Sequence, residues 1–423
     1  MPGSDTTASP SVLPAARPAR FFGWRVAWAA FTVAVFGWGI GFYGPPVFLF
    51  AVHEARGWPI WLVSSAVTCH FLLGAFFVAN LPALHRRFGV AAVTRAGGVL
   101  SLVGMLGWAL AQAPWQLFLA TAVSGAGWAM TGAAAINAMV SPWFARLRPA
   151  ALSTAYNGAS VGGIILSPLW VFAIGALGFP LSAALIGGLM AVTLWLLAGR
   201  YFRPTPAELG QAPDGDAVGA APSRPVSRHT PLPGRALWHN RRFVTLVLAS
   251  SLGLFAQIGL IAHMFSLMAG PMGPRMAGLA AGLATVCAII GRTALGWLLS
   301  PTADRRVAAA GNHGLQVVGS LVLLASGGTD VVLLLAGIML FGLGLGNATS
   351  LPPLIAQQDF SAEDTARAVA LVTACGQASY AFAPAVFGLL REFSANTNAF
   401  FLTAGAIQVL AALAMLTGRQ PSR

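Results

Sequence analysis

Arg292 lies inside the apolar run Ala277–Ser300, where every neighbour suits hydrocarbon and a guanidinium does not. An arginine at mid-bilayer costs about 2.5–3.5 kcal/mol on insertion scales, so it is expected to face a wet cavity or the protein interior and to meet an anion there. No aspartate or glutamate occurs in any apolar span of the sequence. The missing counter-ion points to an anionic ligand, and the planar guanidinium fork suits a carboxylate, phosphate or nitrate. The alternative is a structural arginine that caps backbone carbonyls or reaches the membrane interface, which lies about 10 Å away by helical rise.

Steps of three and four residues put Ala281, Thr285, Ala288, Arg292 and Gly296 on one helical stripe, so the guanidinium emerges from a groove of small residues. Other polar side chains share such stripes. Thr373, Gln377, Tyr380 and Pro384 fall on one face of an apolar run, where Gln377 and Tyr380 can bond either a ligand or a neighbouring helix. Ser153, Asn157, Ser160 and Ser167 form a second stripe, whose small residues also allow close helix packing; Asn157 and its neighbour Tyr156 have the reach to touch a ligand. His70 and His263, taken as the histidines within apolar runs, are candidates to carry a proton near neutrality, and the alternative is a hydrogen-bonded core imidazole. The three cysteines, Cys69, Cys287 and Cys375, have no metal-ligand or disulfide spacing, so no metal and no cofactor is expected.

The elements that carry these residues follow from composition. Of 423 residues 57% are hydrophobic and only 8% charged, and the mean hydropathy is +0.74. An ordinary soluble domain has about a quarter of its residues charged. Runs of about twenty apolar residues predict twelve helices, near 24–44, 60–81, 92–111, 115–140, 150–174 and 178–199, then 242–268, 276–299, 306–326, 331–355, 366–390 and 396–417. The fold class is therefore an all-α membrane protein of two six-helix bundles. Residues 1–23 form a tail, 24–199 the first bundle, 200–241 a proline-rich hydrophilic linker, 242–417 the second bundle and 418–423 a second tail. A six-plus-six layout suits a path at the interface of two similar bundles.

All 24 basic residues are arginine, and the formal charge is +13. They are strung between apolar runs, so the charge reports topology and nucleic acid is not expected as a partner. With twelve spans both termini share one side. Twenty arginines fall on that side and three, Arg56, Arg275 and Arg391, on the other, so the positive-inside rule makes the termini cytoplasmic. The first apolar stretch is too long for a signal-peptide core, and an uncleaved first helix is expected.

The connections LPALHRRFG and SPTADRRVAAAG are both short and basic. They resemble the cytoplasmic signature of the major facilitator superfamily, with Gly296, Asp304, Arg305 and Arg306 as the fuller copy; the first copy lacks the acid. Three further stretches are similar to the monocarboxylate-transporter branch, including its bacterial members: GWRVAWAAF leading into GIGFYGPPVFLF, WFARLRPAALSTAYNGASVGG, and GRTALG from Gly291 to Gly296. The resemblance implies the major facilitator fold, a cell-membrane (for a bacterial member, inner-membrane) location, and transport of a small carboxylate neutralised by Arg292. It also implies a monomer, by the superfamily's habit. In proton-coupled animal members an aspartate precedes that arginine by four residues. Here the position is Ala288, and the lysine of their first helix has no counterpart, so uniport, exchange and a proton moving with the substrate stay open.

The expectation is a secondary active or facilitative transporter that moves a small organic anion, a monocarboxylate, by alternating access. Its partners would be that anion, membrane lipid and a co-transported proton if there is coupling. An exporter of amphipathic drugs or metabolites is the alternative, kept open by 13 tryptophans and 26 phenylalanines. A non-transporting sensor is a third reading. A membrane enzyme is disfavoured, because the spans hold no acid to orient a base and too few ligands for a metal.

Overall fold

With no water to bond its amides, a backbone crossing a bilayer must satisfy them within helices. A computed structural model, which describes residues 21–216, 230–300, 302–393 and 397–419, has that form. The first six spans are Gly23–Arg56, Trp61–Phe88, Val90–Leu110, Pro114–Trp143, Arg148–Leu177 and Phe179–Phe202. The second six are Arg241–Met264, Gly282–Leu298, Arg305–Ala325, Val331–Asp359, Ala362–Leu390 and Asn398–Thr417. Eleven are long and apolar enough to cross a membrane, and Gly282–Leu298 is a shorter apolar helix. The protein is thus an all-helical, multi-pass membrane protein with the expected layout. Most of the tail at 1–23, the linker residues 217–229 and residues 420–423 lie outside the described residues.

Several spans depart from simple rods, and the departures surround the centre of the molecule. The first span, expected to stop at residue 44, bends at Phe42-Tyr43 and resumes as Gly44–Arg56. Pro45 and Pro46 are tolerated there because the first turn of a helix has no partner for its amides in any case. The fourth span breaks at Gly132, whose φ and ψ are extended, and restarts as Ala133–Val140. The tenth turns at Gly346 between Val331–Leu345 and Asn347–Asp359. The seventh and eighth form one long helix, Arg241–Leu298, interrupted at Gly273 with φ 78°. The expected connection between them is that kink.

Small residues set the closest crossings. A Cβ at Gly158 or Gly162 would run into the carbonyls of Phe31 and Val35, which fixes how tightly the fifth span packs on the first. The two halves meet along two seams. The fifth span packs on the eighth, and the second on the eleventh. The face that carries the termini and the linker is called the terminal face below.

The signature residues of the second half knit that half together at the terminal face. Asp304 caps the ninth span by accepting from the amides of Arg306 and Val307, at 2.9 and 3.2 Å, and pairs with Arg419 at 2.6 Å. Arg305 donates to the carbonyl of Leu354 at 2.6 Å. The buried Arg306 pairs with Asp359 at 2.7 Å and donates to the carbonyl of Arg242 at 2.6 Å. These bonds join the start of the ninth span to the ends of the seventh and tenth.

The described parts of the linker are fastened down. The carboxylate of Asp214 accepts from three successive amides of the loop before the fifth span, those of Ala145, Arg146 and Leu147, at 3.1, 2.6 and 3.1 Å. Its φ of 62° is left-handed, a conformation that aspartate tolerates better than most side chains. At the linker's far end the amide of Leu232 donates to Asp364 at 2.8 Å, and Arg367 donates to the carbonyl of Gly234 at 2.9 Å. The linker is thus bonded to the loop before the fifth span and to the start of the eleventh. Asp214→Ala removes three charge-assisted bonds. Limited trypsinolysis is expected to cut after Arg146, in the loop that Asp214 holds, several-fold faster in the variant, with the melting temperature of the helical body little changed.

Candidate functional site

Between the halves lies a cavity of about 320 Å³, in the range of small-molecule sites. The bent and broken helices form its wall: Phe42 and Tyr43 at the bend of the first span, Gly132 and Ala133 at the break of the fourth, Gly346 and Thr349 at the turn of the tenth. The seventh span adds Ser250, Leu254 and Gln257, and the eleventh adds Thr373, Gln377 and Tyr380. Arg292 is the only charged residue lining it among the described residues.

Arg292 is 5% exposed. Its Nε donates to the carbonyl of Gly346 at 2.7 Å. Its Nη1 donates to the carbonyl of Tyr156 at 2.6 Å and to Oδ1 of Asn157 at 3.2 Å. Those three bonds use three of the five guanidinium hydrogens. Among the described residues Nη2 has no hydrogen-bond partner, and no carboxylate lies within ion-pair distance of the group. The arginine thus caps backbone carbonyls, the structural alternative weighed from the sequence, and one nitrogen of this cavity-lining residue is left without a hydrogen-bond partner among the described residues.

The fifth-span residues stand behind the arginine. Tyr156 is fully buried, its hydroxyl donates to the carbonyl of Ala133 at 2.9 Å, and it does not line the cavity. Asn157 accepts from Arg292 and donates to Thr293 at 2.8 Å. Both fix the guanidinium from the opposite half. Gln377 lines the cavity, yet its amide is committed across the halves: Trp128 donates to its Oε1 at 3.0 Å and its Nε2 donates to the carbonyl of Phe71 at 2.8 Å. Tyr380 lines the wall against Phe42 and Phe71, with ring centroids 6.0 and 5.6 Å away.

Neither histidine singled out from the sequence lines the cavity. His70 has Nδ1 at 2.8 Å from the Ser124 hydroxyl and Nε2 at 2.9 Å from the carbonyl of Gly41, which engages both nitrogens. His263 contacts the carbonyl of Pro384 at 3.0 Å. A third intramembrane histidine escaped the sequence reading. His313 lies in the ninth span, within the apolar run 306–326, and is buried 2.7 Å from Gln408. Tyr43, Trp128 and Ser250 were missed as lining residues too; the buried hydroxyl of Ser250 has no partner among the described residues.

On the terminal side of Arg292 the fifth and eighth spans close on each other. Ser153 donates to the carbonyl of Arg292 at 3.0 Å. Gly296 lies so close to Ser153 that a Cβ there would overlap the serine side chain. Trp24 stacks on Trp297 at 5.9 Å with rings nearly parallel.

The family model described as the Major Facilitator Superfamily matches residues 27–384. The chain belongs to the major facilitator superfamily. As a member of that superfamily it is a membrane transporter. Monocarboxylate transporter 11 of Mus musculus is 30% identical over 295 residues, which are 67% of this chain and 61% of that protein. The chain thus spans less than two thirds of that relative's length. Monocarboxylate transporter 13 of Bos taurus is 25% identical over 405 residues, 94% of this chain and 81% of its own. Monocarboxylate transporter 11 of Homo sapiens is 26% identical over 421 residues, 96% of this chain and 84% of its own.

Major facilitator transport requires the two halves to part and rejoin, and Gly296 is where a side chain would wedge them open. Gly296→Val is expected to slow transport severalfold and to speed thiol labelling of a cysteine placed at Ser153 from the terminal side. Unchanged labelling would mean that this seam does not gate the cavity.

Proposed function

We propose that this transporter carries a small organic anion, a monocarboxylate, through the central cavity by alternating access, with Arg292 as its anion-binding group. The observation that carries the reading is the unpaired Nη2 of a buried guanidinium that has no protein carboxylate near it. A buried charge is costly unless paired. An anion supplies the pairing. The names of the mammalian relatives, all monocarboxylate transporters, support the same class.

Because Nε and Nη1 are already bonded, one carboxylate oxygen takes Nη2 and the other needs a donor from the wall, rather than both filling one guanidinium edge. The buried hydroxyl of Ser250, which has no partner among the described residues, is the kind of donor required, whereas that of Thr349 is given to the carbonyl of Gly346 at 3.2 Å. Arg292 belongs to the second half, whereas Tyr156 and Asn157 belong to the first. Opening the terminal side therefore breaks both Nη1 bonds. An anion on Nη2 keeps the guanidinium partnered while that happens, and this makes the exchange between outward and inward forms easier when substrate is bound.

The terminal face is assigned to the cytoplasm, from the excess of arginine on that side. No acid or histidine lines the cavity among the described residues, so the proposed cycle moves the anion without a proton held by a cavity side chain. His70 and His263 are assigned to packing and helix-to-helix bonding.

In proteoliposomes, Arg292→Ala is expected to cut saturable carboxylate uptake at least about thirty-fold, the equivalent of about 2 kcal/mol for a buried charge pair. Arg292→Lys is expected to fail as well, since one ammonium cannot hold Gly346, Tyr156 and an anion in the directions the fork does. Correctly inserted variants with unimpaired uptake would refute the assignment. Uptake of neutral amphiphiles in their place would favour the exporter reading.

A further inference from the structure

We infer that the preferred substrate is a monocarboxylate with an aromatic tail, of the arylpropionate kind, rather than a two- or three-carbon acid. The inference rests on the anion reading of Arg292 and extends it to the rest of the cavity.

Length is the first argument. The eighth span lines the cavity from Ala284 to Arg292, eight residues and about 12 Å at helical rise. A three-carbon acid spans roughly 4 Å by ordinary bond lengths. Held at Nη2, it would leave the far part of the cavity to water, against walls that are mainly apolar.

The second argument is what those walls are made of. Trp38, Phe42, Trp128 and Tyr380 form a connected group: Trp38 meets Trp128 edge to face at 5.0 Å, Phe42 lies 6.3 Å from Trp128, and Phe42 meets Tyr380 edge to face at 6.0 Å. All four line the cavity, and across from them the seventh span presents Leu254, Ile258 and Met264. Rings prefer edge-to-face and offset contacts with other rings, and thioethers pack well on ring edges. An aryl group fits between these walls as a further member of the set.

The third argument is charge. Arg292 is the only charged lining residue among the described residues, so a second carboxylate on the ligand would meet no second cation. Dicarboxylates are disfavoured on that ground, because an unpaired buried charge is costly. Cationic amphiphiles meet the unpaired guanidinium.

The test is calorimetric titration of the purified full chain with 3-phenylpropionate, propionate, succinate and 3-phenylpropanol. Phenylpropionate is expected to bind about ten- to a hundred-fold more tightly than propionate, the gain from burying one ring. Succinate is expected to bind no more tightly than propionate. Arg292→Ala should weaken both monocarboxylates. Phe42→Ala, and Tyr380→Leu as an alternative that keeps an apolar side chain but no ring, should weaken phenylpropionate about ten-fold more than they weaken propionate. Propionate or succinate binding as tightly as phenylpropionate overturns the aromatic assignment while leaving the anion site standing. Phenylpropanol matching phenylpropionate, with Arg292→Ala harmless, overturns the anion reading itself; a folded protein that binds none of the four overturns both.

Discussion

A guanidinium buried in a membrane protein must be given partners, and around Arg292 the backbone is shaped to give them. The turn in the tenth span leaves the carbonyl of Gly346 for Nε, and the fifth span turns the carbonyl of Tyr156 and the amide oxygen of Asn157 toward Nη1. Hydrogen bonds to a charged group are worth about 1.5–3 kcal/mol each, against a burial penalty of several kcal/mol. The bonds hold the charge in place without neutralising it. What remains is a cation with one nitrogen unpartnered among the described residues, on a residue that lines an otherwise uncharged cavity, and the transport proposal depends on that residual charge.

The same three bonds make the arginine a joint between the halves. It sits in the second half and is gripped by the first, just beneath the tight crossing of Gly296 and Ser153. The second seam is held at mid-height by Gln377, which reaches Trp128 and the backbone of Phe71. Polar groups of this sort, surrounded by apolar helices, give the interface direction as well as strength. Farther toward the terminal face, the bonds of Arg305, Arg306, Asp304 and Asp359 stay within the second half. They keep that half rigid as a unit. Among the described residues the first half shows no ion pair at its own arginine pair, Arg86 and Arg87, whose connection carries no acid.

Much of this was legible in the sequence because hydrophobic run length and the distribution of arginines are direct records of a bilayer. The twelve spans and the odd position of Arg292 both followed from it. The partners were not legible. Gln377 and Trp128 stand 249 residues apart, and no local pattern pairs them. That Arg292 would find backbone carbonyls depended on the close approach of Gly346 to the eighth span, where a Cβ would run into the carbonyl of Ala288, and the sequence does not announce it. Asn157 had the reach to touch a ligand, but it points at the arginine instead. His313, within the apolar run 306–326, shares with Asn312 and Gln316 a polar face that turns inward to a buried hydrogen-bonded cluster. Asp214 looked like part of a featureless linker, since three backbone amides leave no mark in sequence.

The most direct measurement of the central claim is an experimental structure of the full chain with a bromine-labelled arylpropionate, located by anomalous scattering or density. The account expects a carboxylate oxygen within about 3 Å of Arg292 Nη2, the bonds to Gly346 and Tyr156 retained, and the bromine among Phe42, Trp128 and Tyr380. A carboxylate bound elsewhere, or an Nη2 that bonds a protein group in the occupied state, would contradict it.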